Sequence, residues 1–181
     1  TKSTRRHFLQ VTAGLAAATP YFWTSRRLRA DPANDKFNIA AIGVGGRGAG
    51  IGHQAGSLGN MVACADVHLG NANRFAERYE GKCEVYQDYR KLLDRKDIDA
   101  ITCGTPDHWH TKIAIDAMRA GKDVYCEKPL TLTMQEGAQI MQVTRETGRV
   151  FQVGTQQRSE NNHVFLKAVA IARSGRLGPK L

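Results

Sequence analysis

Phe37-Asn38-Ile39-Ala40-Ala41-Ile42-Gly43-Val44-Gly45-Gly46-Arg47-Gly48 decides how this chain is read. A largely apolar run stops at a glycine-rich turn, which opens directly into residues of helical composition. The glycines at 43, 45 and 48 fit the spacing G-x-G-x-x-G. In a strand-turn-helix setting each has a physical task. Gly43 permits the tight turn, Gly45 lets the backbone approach a pyrophosphate, and Gly48 lets the helix pack closely on the strand. Gly46 leads into that helix and Arg47 begins it, and its N-terminal amides supply positive potential for phosphates. The plainer reading, a flexible glycine turn, loses ground because the next apolar run ends at Asp66, 18 residues after Gly48. An acid there can bind adenosine ribose hydroxyls and repel a 2′-phosphate, which favours NAD over NADP. Arg74 or Arg47 could reverse that preference, and a turn or capping role for Asp66 is the structural alternative.

Outward from this turn, apolar runs alternate with helical ones. Residues 37–43, 61–67, 100–104, 123–126 and 150–153 read as strands. Most are apolar on successive residues, which implies burial on both faces, as in a parallel sheet. Residues 47–58, 70–79, 89–95, 108–120 and 133–147 read as helices. Asp107 is placed to cap the fourth, and Thr131 or Thr133 the fifth, with Glu136 completing a capping box after Thr133. Gly121 and Gly148 suit the left-handed turns that end these two helices. The alternation predicts an α/β fold, a Rossmann-type doubly wound parallel sheet over residues 36–157. Pro32 to Lys36 reads as a short linker before it.

The formal charge of +9 is unevenly spread. Residues 1–30 hold six basic residues and no acid, leaving 20 bases against 17 acids for the rest. Beyond the tail no basic stripe combines with stacking aromatics, so nucleic-acid binding is not expected. Arg5-Arg6-His7-Phe8-Leu9 precedes a mildly apolar stretch, Val11 to Trp23, and then Arg26, Arg27 and Arg29. That is the layout of a twin-arginine export signal over residues 1–30, with the twin-arginine machinery as partner and a periplasmic or otherwise exported destination. At 13 residues, the stretch is too short to span a bilayer as a helix. Cys64, Cys83, Cys103 and Cys126 form no C-x-x-C pair and have no histidines at ligand spacing, so no metal site is expected. They read as small buried hydrophobes.

Two further segments carry chemistry. Thr105, Pro106, His108 and His110 follow the strand at 100–104 and should reach the ligand edge of the sheet, forming a wall around the cofactor. His108 and His110, two apart, do not share a helix face as metal ligands would. Glu127-Lys128-Pro129 follows the strand at 123–126 in the same way. A lysine delivered there can hydrogen-bond a substrate hydroxyl and exchange its proton. Taken alone, it would be a solvated Lys-Pro turn.

The glycine loop, Ala65-Asp66-Val67, the 105–110 segment and above all Glu127-Lys128-Pro129, in this order and spacing, resemble the Gfo/Idh/MocA family of sugar and polyol oxidoreductases. The resemblance spans residues 36 to 181. It implies hydride transfer between a carbohydrate and a nicotinamide dinucleotide, with Lys128 acting on the sugar hydroxyl. It further implies Glu127 near the nicotinamide ribose, Pro129 after a cis bond, and Gln156, Gln157 and Arg158 bordering nicotinamide and substrate. Family members are longer, so residues 158–181 are expected to begin a truncated substrate domain, and the full-length protein to be a homo-oligomer. The catalytic histidine and acid of that second domain are missing from this chain, and His163 has no motif to replace them. Two other readings stay open. One is a glycoside hydrolase or lyase of the same fold that uses tightly held NAD without net redox change. The other is a cofactor-binding fragment without turnover.

Overall fold

The strand that opens the sheet, β1 (Asn38–Ile42), is buried from both sides. Side chains alternate across a strand. Ala40 and Ile42 therefore join one hydrophobic cluster, with Ile101, Met118 and Ile140, while Ile39 and Ala41 join the other, with Met61, Cys64 and Phe75. This two-sided burial is why the strand reads as continuously apolar. The computed structural model describes residues 36–157 and 164–178. The expected signal segment, Arg158 and His163 lie outside the described residues.

After β1 the chain runs through α1 (Gly46–Leu58), β2 (Asn60–Ala65), α2 (Leu69–Ala76), β3 (Glu84–Tyr86), α3 (Tyr89–Leu93), β4 (Ala100–Cys103), α4 (His110–Arg119), β5 (Asp123–Glu127), α5 (Met134–Thr147) and β6 (Phe151–Gly154). A further helix, α6 (Val164–Arg173), presents exposed Val164, Phe165 and Leu166. Among the described residues no helix is long and apolar enough to cross a membrane. The six strands are parallel in the order β3-β2-β1-β4-β5-β6. The order reverses between β1 and β4, and in such sheets the crevice beyond the strand ends at that point receives ligands. The fold is therefore the expected doubly wound α/β sheet.

Local chemistry explains most boundaries. Thr133 rather than Thr131 caps α5. Its hydroxyl accepts from the Glu136 amide at 3.2 Å, and the Glu136 carboxylate accepts from the Thr133 amide at 3.1 Å. Gly148 ends α5 at φ 62°, and Gly121 follows α4 at φ 83°. One expectation fails and one element is new. Asp107 does not cap α4, because residues 107–109 form a single tighter turn and α4 starts only at His110. The Asp107 carboxylate instead accepts from the His108 amide at 2.9 Å. The strand β3 was not anticipated. It has three residues, carries Glu84, and lies at the sheet edge, where exposure removes the apolar signal.

Candidate functional site

The glycine loop joins β1 to α1 at the point where the strand order reverses. Gly43 has φ 76° and donates its N–H to the Ala65 carbonyl at 2.8 Å, fastening the loop to the end of β2. A Cβ on Gly43 would stand 2.6 Å from Thr105. A Cβ on Gly48 would overlap the Gly43 carbonyl oxygen and come within 2.9 Å of the Gly104 oxygen. So α1 lies directly on the ends of β1 and β4, and Gly104, given no role from the sequence, is as necessary to that contact as Gly48. No side chain caps this helix end, and its first turn holds no acid. First-turn amides have no carbonyl partner within the helix, and they offer the donor set that a pyrophosphate takes.

Asp66 closes one side of the site. Its Oδ2 accepts from the Val44 amide at 2.9 Å and its Oδ1 from the His68 amide at 2.9 Å. The carboxylate thus holds both the glycine loop and the turn after β2, which merges the structural and the binding readings. A carboxylate offers about four acceptor positions, so a half-exposed Asp66 retains capacity for ribose hydroxyls. Beside it lies a largely apolar cavity of about 190 Å³, lined by Gly43, Asp66, Val67, Thr105, Pro106 and Trp109 among others. Gln87 and Tyr89 also reach it. They were not legible in the sequence because they follow β3, the strand that left no signal. An apolar slot next to a carboxylate and an uncapped helix end fits an adenine dinucleotide.

The opposite side of the site is built on Glu127, the last residue of β5. Its side chain is 6% exposed and accepts from Arg47 Nε at 3.0 Å, Gln156 Nε2 at 2.5 Å and the Lys128 amide at 2.9 Å. Burial alone would raise this carboxyl, but the Arg47 and Gln156 hydrogen bonds and the Lys128 amide hold it below its ordinary value. Gln156 is itself oriented by the Tyr125 hydroxyl, which donates to its Oε1 at 2.9 Å. Three separate segments, at 47, 127 and 156, are therefore joined at one carboxylate. Lys128 is exposed at the same edge, and among the described residues its ammonium has no partner. The Lys128–Pro129 peptide is cis.

The expected wall at 105–110 divides. Thr105 and Pro106 line the cavity, together with Trp109. His108 turns instead to the groove between α4 and α5, beside Lys112 and Glu136. His110 faces no open space. It is 2% exposed, with Nδ1 at 2.6 Å from the Pro129 carbonyl oxygen and Nε2 at 2.9 Å from that of Thr105. Helix geometry is the reason, since His110 begins α4 and points under the loop rather than out of it. The sulfur atoms of Cys103 and Cys126 and a ring nitrogen of His110 lie within 4.8 Å of one another. Both ring nitrogens are directed at carbonyl oxygens, so neither is turned toward the sulfurs. All four cysteines are free and buried.

A family model described as an oxidoreductase family with an NAD-binding Rossmann fold matches residues 37–155. An inositol 2-dehydrogenase of Salmonella typhimurium is 30% identical over 122 residues, covering 67% of this chain and 36% of that protein. An alpha-N-acetylgalactosaminidase of Shewanella oneidensis is 34% identical over 170 residues, covering 79% of this chain and 37% of that one. Among solved structures, myo-inositol 2-dehydrogenase from Lactobacillus plantarum superposes with a TM-score of 0.69 at 26% identity, over 80% of this chain and 43% of that one. The chain spans less than half the length of each of these proteins.

Proposed function

This chain belongs to the Gfo/Idh/MocA oxidoreductase family, with its NAD-binding Rossmann fold, and from that premise we propose that the whole protein oxidises a hydroxyl of a sugar or polyol. Bound NAD supplies the acceptor for the hydride. The first-turn amides of α1 bind the diphosphate, and Asp66 binds the adenosine ribose. Lys128, as the neutral amine, hydrogen-bonds the reacting hydroxyl and takes its proton as the carbon yields hydride and becomes a carbonyl, then returns the proton to solvent. The reverse sequence reduces the carbonyl. Glu127 orients the lysine through its backbone amide and joins it to the glycine loop through Arg47.

The observation that carries this reading is the position of Lys128, exposed and without a partner among the described residues, at the end of β5 on the edge that holds the glycine loop. Inositol 2-dehydrogenase relatives support the polyol class of substrate. Replacing Lys128 with Met in the full-length protein should lower turnover by roughly 10²–10⁴-fold, the usual contribution of a positioned acid-base group, with NAD affinity retained. Undiminished turnover would refute the role. The glycosidase relative supports a second reading, cleavage of a glycoside through transient oxidation by retained NAD. Glycoside cleavage without accumulating NADH would select it. Export by the twin-arginine route is part of the proposal, supported by the Arg5-Arg6 tail. Accumulation in the periplasm, abolished by Arg5→Lys with Arg6→Lys, tests it.

A further inference from the structure

His110 stands where two functional loops leave the sheet. β4 and β5 are paired as far as Cys103 and Cys126. Beyond them, residues 104–109 turn toward the dinucleotide cavity, while residues 128–133 turn toward α5. Past this point the β4–β5 ladder no longer holds the two loops together. The His110 ring spans the gap, contacting the carbonyl oxygen of Thr105 on one side and that of Pro129 on the other. The ring is anchored from behind, because the α4 residues Ile113 and Ala114 are 2% and 0% exposed in the core. Beneath it are the fully buried thiols of Cys103 and Cys126. A buried, fixed ring with two opposed contacts has the geometry of a spacer.

We propose that His110 is a positioning residue that sets the separation between the cofactor-side loop at Thr105 and the turn that carries Lys128. The proposal rests on the catalytic reading of Lys128 and extends it. Thr105 packs against Gly43 and lines the cavity, whereas Pro129 directly follows the lysine. Any change in the ring's length or bonding therefore alters the distance between bound nicotinamide and the Lys128 amine, and neither group touches His110. A residue that served only to fill volume would show no preference between the two carbonyls.

A neutral imidazole carries hydrogen on one nitrogen, so the ring donates to one of the two carbonyls and rests against the other; the two contacts can be replaced separately. The side-chain amide of Asn falls near Nδ1 and preserves the contact with Pro129. That of Gln falls near Nε2 and preserves the contact with Thr105. Phe fills the space and offers neither carbonyl a polar contact. In the full-length protein His110→Asn should weaken NAD binding roughly three- to ten-fold with kcat largely kept. His110→Gln should retain NAD binding and lower kcat by a similar factor, the range expected for one lost hydrogen bond. His110→Phe should show both losses. Equal behaviour of Asn, Gln and Phe, with melting temperatures like the parent, would overturn the proposal. A second measurement needs no substitution and no turnover. On addition of NAD, amide hydrogen exchange in segments 104–110 and 127–132 should slow together, because one ring joins them; protection confined to 104–110 would also overturn it. Failure of the Lys128 reading would appear separately, as retained turnover in Lys128→Met while the exchange of both segments remained linked.

Discussion

Glu127, expected near the nicotinamide ribose, has a carboxylate that accepts from Arg47, Gln156 and the Lys128 amide. The Glu127–Arg47 pair was not legible from the sequence, since the partners are 80 residues apart and only the sheet brings them together. The lowered pKa has a testable sign. Glu127 titrates in the folded protein below the ordinary 4.5, so its contribution is complete above about that pH and is lost as pH falls through the lower folded value. Glu127→Gln should cost about 1 kcal/mol at pH 7, since Arg47 is half-exposed and screened. Melting curves of parent and variant should converge as pH drops below 4.5, and a constant offset down to pH 3 would contradict the assignment. Asp66 makes a second prediction at this scale. Asp66→Ala removes an acceptor of two loop amides and of ribose, and should cost about 1–3 kcal/mol of NAD binding and less of NADP binding. Calorimetric titration with both dinucleotides reads this directly.

Strands and helices were more legible than the contacts between them. β1, β2, β4 and β5 are apolar on both faces and announced themselves, as did α5 with its capping box. What escaped was β3, whose three edge residues are half wet, and with it the cavity residues Gln87 and Tyr89. The orientation of His110 escaped as well, because a two-residue shift in the start of α4, from 108 to 110, decides whether a side chain points into the cavity or beneath it. The cysteines, read as small hydrophobes, all lie in or beside strands, at 0% exposure for Cys64, Cys103 and Cys126 and 5% for Cys83. Within the Cys103–Cys126 pair, a hydrogen bond from Cys126 pulls the Cys103 thiol below its usual range. Burial should nonetheless prevail over this activation. A thiol reagent should modify the native protein slowly and all four sites rapidly once the protein is unfolded; fast labelling of the native state would show that the strands open.

At the scale of the molecule, the strand order does what no local pattern can. Residues 43–48, 66, 105, 127–128 and 156 are far apart along the chain, and each lies at or just beyond the C-terminal end of β1, β2, β4, β5 or β6. A parallel sheet places all those ends on one edge. That is why motifs weak in isolation, a glycine turn and a Lys-Pro turn, gain meaning from their spacing. The central claim is that this edge binds the dinucleotide against the glycine loop. Of the protein's two tryptophans, Trp109 lines the cavity. With Trp23 replaced by Phe, titration with NAD should produce a saturable change in Trp109 fluorescence. Gly48→Ala, whose Cβ would overlap the Gly43 carbonyl, should weaken that binding about ten-fold or more, a difference of about 1.4 kcal/mol, in a protein that still shows the parent's circular dichroism. NAD binding equal in both proteins, with Trp109 unresponsive, would contradict the account.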